Sequence, residues 1–168
     1  ALKANTTDGN TAVGKDALEL NTTGINTAVG VNALATVTTG SSNTAVGQDA
    51  LTLNTGASNT AFGAYALDAN TTASNNTAIG VAALGANTTG ALNTAVGLEA
   101  LNVNTTGAGN GAMGYAALVA DTTASNNTAI GYTALSANTT GTNNVALGAY
   151  AVDAAVTAND NTAVGNKA

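Results

Sequence analysis

The chain has 168 residues and a net charge of −6, with only 7 % charged residues and no Pro, Cys, His or Trp. The lack of His and Cys excludes most zinc, copper, haem and iron–sulfur sites and both Ser-His-Asp and Cys-His catalysis, so we expect no enzyme and no cofactor. Three Lys and no Arg provide no basic face for nucleic acid, and no apolar stretch is long enough for a membrane span.

A repeat of 16–17 residues runs through the whole chain. Its unit reads N-T-A-V-G-x-x-A-L-x-x-N-T-T-G-x-x, and it begins ten times at an Asn that we number position 0. Ala is invariant at positions 2 and 7, and Gly is invariant at position 4. Position 8 is Leu in every unit except the last complete one, where it is Val152. A unit of this length is too short for a helical-pair repeat, and Gly and Asn-Thr-Thr-Gly interrupt any helical stripe.

The elements of one unit follow in a fixed order. Residues 1–9 form a partial unit, and each complete unit then opens with a short strand at positions 1–3 that turns position 3 inward. Gly at position 4 makes a turn, a second short strand turns positions 8 and 10 inward, and Asn-Thr-Thr-Gly at positions 11–14 makes another turn. Residues 161–168 form a closing partial unit. The predicted core is the series at position 3: Val13, Val29, Val46, Phe62, Ile79, Val96, Met113, Ile130, Leu147 and Val164.

These elements predict an all-β fold, a parallel β-solenoid or β-roll with one coil per repeat and about ten coils in a single domain over residues 1–168. Coils stacked at about 4.8 Å would make a rod about 48 Å long. Asn side chains at positions 0 and 11 would form ladders between coils, interrupted by one acid, Asp121. The position 0 ladder consists of Asn10, Asn26, Asn43, Asn59, Asn76, Asn93, Asn110, Asn127, Asn144 and Asn161.

Position 2 alternates with the inward position 3, so it should point outward, yet it is always Ala. An open solvated face would have collected polar residues. We therefore predict lateral or trimeric packing of copies of the chain through this Ala; the alternative is that a tight turn requires Ala for steric reasons.

The motif Asn-Asn-Thr-Ala-Ile-Gly at residues 75–80 and 126–131 resembles the head repeats of trimeric autotransporter adhesins. The Asn-Thr-Ala-Val-Gly array is also similar to repeats in phage tail fibres and bacterial surface proteins. This resemblance covers nearly the whole chain and implies a β-roll at a cell or virion surface. The coil of the adhesin head is shorter, and its neck, coiled-coil stalk and membrane anchor have no counterpart in this sequence.

The two partial units are complementary. Asn161–Ala168 supplies the first part of a coil and Ala1–Gly9 the remainder, so one subunit could complete the coil of the next. No capping helix or charged terminal rung protects the strand edges, which favours head-to-tail stacking into an open filament. The alternative is that the two ends only mark where the chain was cut.

The sequence therefore predicts a self-associating structural subunit of an extracellular fibre or filament. One alternative is an adhesin or tail-fibre segment that binds a surface glycan or receptor through a variable ridge, where Tyr65, Tyr115, Tyr132 and Tyr150 lie at positions 5 and 6. A further alternative is an ice-binding solenoid that uses the Thr residues at positions 12 and 13. Asn-x-Thr sequons open the option of glycosylation at Asn5, Asn21, Asn70, Asn75, Asn87, Asn104, Asn126 and Asn138.

Overall fold

The chain forms a β-solenoid in a computed structural model that describes residues 1–154 and 157–168. Ten parallel strands pair in sequence order in one sheet, in register, so that Ala78 lies opposite Ala61 and Ala95. This confirms the predicted fold class. The strands are β1 (Thr11–Val13), β2 (Thr27–Val29), β3 (Thr44–Val46), β4 (Thr60–Phe62), β5 (Thr77–Ile79), β6 (Thr94–Val96), β7 (Gly111–Met113), β8 (Thr128–Ile130), β9 (Val145–Leu147) and β10 (Thr162–Val164). We number the coils 1 to 10 after their strands.

The prediction of a second strand around positions 8 to 10 is wrong, because these residues form turns in every described coil. In coil 5, Ala82 and Leu84 have φ of 55° and 52°, so the backbone curls where a strand would extend. Turn residues still bond between coils in the manner of a sheet, and the Leu84 N–H donates to the Ala100 carbonyl at 3.0 Å. Leu is a rare residue at positive φ, and burial of its side chain offsets the local strain.

The core lies on the opposite side of the strand from the predicted one. Ala at position 2 is buried, for example Ala78, whereas position 3 faces outward, with Val13 58 % exposed and Phe62 57 % exposed. Two columns of Ala, at positions 2 and 7, and the Leu column at position 8 fill the interior. The physical reason is the narrow interior of each coil. The Leu side chain of position 8 already fills its centre, so only a methyl group fits at the inward position of the strand.

The prediction that position 3 forms the core is therefore wrong at all ten residues: Val13, Val29, Val46, Phe62, Ile79, Val96, Met113, Ile130, Leu147 and Val164 are half-buried or exposed. The predicted lateral interface through Ala at position 2 is wrong for the same reason. Ala28 and Ala146, like most Ala of this column, are fully enclosed within their own chain. Invariant Ala at this position reflects the narrow interior.

Gly at position 4 is required by the approach of the next coil. Gly80 has φ 136°, and a Cβ built on it would lie 2.4 Å from the carbonyl oxygen of Gly97. Residues with a Cβ rarely adopt this φ, and the contact would be shorter than any van der Waals distance. The turn after each strand therefore admits only Gly, which explains its invariance.

Candidate functional site

The position 0 ladder joins every pair of neighbouring coils. The backbone N–H of each Asn from Asn26 to Asn161 donates to the side-chain Oδ1 of the Asn one coil earlier, over 2.7–3.0 Å. From Asn26 to Asn144 the Nδ2 group donates to a backbone carbonyl 13 or 14 residues later, as from Asn76 to Gly90 at 2.9 Å. One short side chain thus accepts from the neighbouring coil and closes its own coil. The predicted Asn ladder is confirmed, with amide-to-backbone bonds as its main links.

A second ladder, at position 11, consists of direct bonds between side-chain amides. Asn70, Asn87 and Asn104 each donate an Nδ2–H to the Oδ1 of the preceding rung at 2.7–2.9 Å. Each also donates to the carbonyl three residues later, so Asn87 and Asn76 share the Gly90 carbonyl. Both ladders therefore end on the same row of turn carbonyls and tie two corners of the coil together.

The position 11 ladder is interrupted at two described rungs. Val37 replaces Asn between Asn21 and Asn54 and is fully buried. Asp121 replaces Asn after Asn104 and is also fully buried. These interruptions make the second ladder weaker and more variable than the first.

Asp121 is a carboxyl group enclosed among amides. Its Oδ1 accepts from the Ala124 N–H at 2.9 Å, but its Oδ2 and the Oδ1 of Asn104 are both buried without a hydrogen-bond partner. Burial raises the pKa of Asp121 to about 7, and the hydrogen bonds from Ala124 and Asn127 oppose that rise. A protonated carboxyl restores the missing donor, because its O–H can bond to Asn104 Oδ1 as an amide would.

Three of the four predicted ridge tyrosines lie together on the outside of coils 7 to 9. The rings of Tyr115 and Tyr132 stack with centroids 5.1 Å apart, and Tyr150 lies tilted against Tyr132 at 5.3 Å. The Lys167 Nζ lies 5.9 Å from the centroid of Tyr150 and extends the row. We call these four residues the tyrosine row. Because the ring faces meet one another, the row presents ring edges and hydroxyl groups to solvent.

Tyr65 lies apart from the tyrosine row, in coil 4. The Tyr65 hydroxyl accepts a hydrogen bond from the Gln48 side chain at 3.1 Å. Tyr65, Asp49 and Asp68 all border an open cleft of about 270 Å³. Burial, with the charge of Asp49 as a smaller cause, raises the pKa of Asp68.

Over the described part of the chain, no three acidic or other metal-binding side chains group together.

The turn threonines use their hydroxyls within the solenoid. Seven Thr at position 12, including Thr71, Thr88 and Thr105, donate to the carbonyl of the equivalent Thr one coil later at 2.8–3.3 Å. These bonds use the hydroxyl hydrogens of position 12 within the solenoid and leave the oxygen lone pairs as acceptors, so ice binding stays a prediction. Five sequon asparagines (Asn21, Asn70, Asn87, Asn104 and Asn138) are buried in the second ladder, whereas Asn75 and Asn126 are exposed.

The first nine residues stack on coil 1 in the register of the repeat. Leu2 donates its N–H to the Ala17 carbonyl at 3.1 Å, which matches the bond from Leu18 to Ala33 at 3.1 Å. Lys3 lies 3.2 Å from an oxygen of Asp16 and 2.5 Å from one of Glu19. Leu2 thus occupies position 8, and residues 1–9 supply the later part of a coil.

The outer face of the sheet is a surface that the sequence analysis assigned to the interior. It carries the side chains of positions 1 and 3, one row mostly of Thr and one row of large apolar residues. Neither row contains a charged residue. The signal that could have located it was the invariant Ala between them, since a narrow interior tolerates only the smallest side chain.

Comparison with protein-family models and with curated proteins finds no match to this chain. No helix that could cross a membrane occurs in residues 1–154 or 157–168.

Proposed function

We propose that this chain is a structural component of an extracellular fibre or filament whose solenoids stack end to end. The observation that carries the proposal is that the described coils bond to their neighbours through the same backbone and Asn groups, so that a further coil can join the stack by the same bonds. The extracellular location rests on the resemblance to surface and tail-fibre repeats alone.

The strand edges illustrate this repetition. The Thr77 N–H donates to the Asn93 carbonyl at 2.9 Å, and the Gly80 N–H donates to the Phe62 carbonyl at 2.8 Å. Among the described residues β10 pairs with β9 alone, so the same pattern directs the Thr162 N–H to the side away from β9, where another strand could pair. Such an edge pairs readily with another strand.

The described coils at both ends of the solenoid keep the register of the repeat. Leu2 bonds to coil 1 at position 8, and β10 pairs with β9. A second copy stacked in the same register would continue the sheet and extend the position 0 ladder. A contact repeated head to tail has no closed end and generates a filament.

Proline at the open edge tests this proposal. Thr162→Pro removes one N–H that the folded chain does not use, and Thr162→Ser is the matched control that keeps it. We expect the unaltered chain and Thr162→Ser to form filaments in electron microscopy, and Thr162→Pro to remain short with an unchanged circular dichroism spectrum. An unaltered chain that stays monodisperse and without filaments at high concentration contradicts the proposal.

A second candidate function is binding of a surface glycan by the tyrosine row. The observation that favours it is the alignment of three exposed tyrosines along the solenoid axis, with hydroxyls that can bond to sugar hydroxyls. Tyr132→Ala should abolish binding on a glycan array, whereas Tyr65→Ala, outside the row, should preserve it. Equal binding by both variants, or none by the unaltered chain, removes this candidate.

A further inference from the structure

The outer sheet face is an uninterrupted uncharged surface on one side of the solenoid. Its position 3 row exposes a large apolar side chain in coil after coil, including Ile79, Ile130 and Leu147. The absence of any charged side chain at positions 1 and 3 means that a second such face could approach without desolvating or opposing charges. Isolated exposed apolar residues are ordinary, but a continuous row along ten coils is typical of an interface.

Two features break the regularity of this face. Phe62 in coil 4 is the largest side chain on it and is 57 % exposed. Gly111 in coil 7 replaces Thr and leaves a depression of about 90 Å³, bordered by Met113, Thr94 and Thr128. The face therefore carries one projection and one depression.

One two-fold axis would bring the projection and the depression close together. An axis that lies parallel to the strands and passes between coils 5 and 6 brings two sheets face to face and exchanges coil 4 with coil 7. Because this axis preserves the position along the strand, Phe62 of each copy then faces the flexible Met113 of the other, and the depression at Gly111 lies two residues, about 7 Å, along the same strand. The contact occurs twice, as a two-fold interface requires, and the same axis brings all ten strands of both copies into contact.

We propose that two copies of this chain pack laterally through their outer sheet faces in antiparallel orientation, with Phe62 of each packed against Met113 of the other at the border of the depression that Gly111 leaves. This contact differs from end-to-end stacking and does not depend on it. It also replaces the interface that the sequence analysis placed at the buried Ala of position 2.

The size of the face is sufficient for a specific contact. Ten strands spaced about 4.8 Å apart, each about 10 Å long, give the face a flat area of about 480 Å² per copy, without the added surface of the side chains. The two faces together present about 960 Å², which is close to the lower bound of about 1,000 Å² for a biological interface. Sheets of this kind pack about 10 Å apart with their side chains interleaved.

Cross-linking distinguishes the antiparallel pair from other arrangements, and the absence of native Cys simplifies it. Thr27→Cys in coil 2 and Val145→Cys in coil 9 lie opposite each other in the antiparallel pair, but seven coils apart, about 34 Å, within one chain. A short bismaleimide added to a mixture of the two variants, both also carrying Thr162→Pro to prevent end-to-end stacking and one carrying a tag, should join Thr27→Cys chains to Val145→Cys chains. Cross-links only between like variants, or a mass of three chains, overturn the proposal in favour of parallel packing.

Filling the depression tests the fit. A Cβ at Gly111 meets nothing within 4 Å, and eight of the ten strands have Thr at this place, so Gly111→Thr preserves the fold. It should weaken the lateral pair about tenfold or more in analytical ultracentrifugation, because Phe62 would meet a filled surface.

Two further variants complete this test. Ile79→Lys should also weaken the pair, while Leu98→Lys, exposed but outside the face, should not. Unchanged association of Gly111→Thr and Ile79→Lys, or a monomeric unaltered chain, overturns the lateral contact. Filament formation, measured separately with Thr162→Pro, reports on end-to-end stacking alone.

Discussion

Asparagine has two different roles at the residue scale, although the two ladders look alike in sequence. At position 0 its Oδ1 accepts a backbone N–H from the next coil and its Nδ2 donates to a carbonyl of its own coil, as Asn59 shows. No other side chain of this length supplies both groups, so substitution leaves buried backbone groups unpaired. At position 11 the bonds run mostly between side chains, and Val37 and Asp121 are accommodated.

Replacing Asp121 by Asn should remove a pH-dependent weakness. The pKa of Asp121 is raised from 3.8 to about 7, so the native state binds a proton that the unfolded state has released. The contribution of this group is fully present below about pH 3.8 and is lost as the pH rises to about 7. We therefore expect Asp121→Asn to raise the free energy of unfolding by about 2–4 kcal/mol at pH 8 and by little at pH 4.

Urea denaturation of both chains between pH 4 and pH 8 measures this difference. Asp8→Asn, at an exposed residue, serves as the control for loss of a surface carboxylate. A gain from Asp121→Asn that is the same at both pH values would contradict protonation of Asp121 in the fold.

Glycine at position 4 should tolerate no side chain. Gly80→Ala places a methyl group 2.4 Å from the Gly97 carbonyl oxygen at a φ that Ala rarely adopts, so we expect loss of the cooperative thermal transition or a drop of at least about 3 kcal/mol in stability. Gly111→Ala is the control, since a Cβ there meets open space. Similar melting temperatures for the two variants would show that the turn can rearrange.

At the level of the strands, the predicted inward and outward faces are exchanged, and the reason lies in the shortness of each strand. A three-residue strand alternates correctly in either orientation, because period 2 does not say which face is inside. The larger residue at position 3 was assigned to the core on the rule that large apolar side chains are buried. In this solenoid the interior is already occupied by Leu at position 8, whose backbone curls at positive φ, and only Ala fits beside it.

Truncating one inward and one outward side chain of the same coil tests which face of the coil is the core. Leu84→Ala removes a fully buried side chain and should cost about 2–5 kcal/mol of stability, since the coils above and below prevent the cavity from closing. Ile79→Ala in the same coil removes an outward side chain and should cost less than about 1 kcal/mol in the separated chain. Denaturant unfolding at low protein concentration measures both, and a larger loss from Ile79→Ala would restore the original assignment.

The whole molecule is a one-dimensional stack in which each strand contacts only the strands before and after it. Its stability should therefore be close to a sum of coil and interface contributions. Residues 76–92 comprise one complete coil, and their removal joins Asn75 to Asn93 and recreates the motif Asn-Asn-Thr.

Deletion of residues 76–92 should leave a folded solenoid that is one coil shorter, with the same circular dichroism spectrum and a modestly lower melting temperature. Deletion of residues 76–83 should unfold it, because half a coil shifts every later Asn out of its ladder. A 76–92 deletion that unfolds completely would show cooperativity beyond neighbouring coils.

The solenoid, its period and the position 0 ladder could all be predicted from the amino-acid sequence. These follow from repetition: identical short units that cannot bury their own apolar groups must stack, and the repeated Asn carries a separate donor and acceptor on one side chain, whereas Thr has a single hydroxyl for both. Three features became visible only in the folded solenoid. They are the face of the strand that is buried, the turn at positions 8 to 10, and the presence of Phe62 and Gly111 on one outer face. These depend on the width of the coil and on left-handed backbone at Leu, which are consequences of packing between coils that no single repeat reveals.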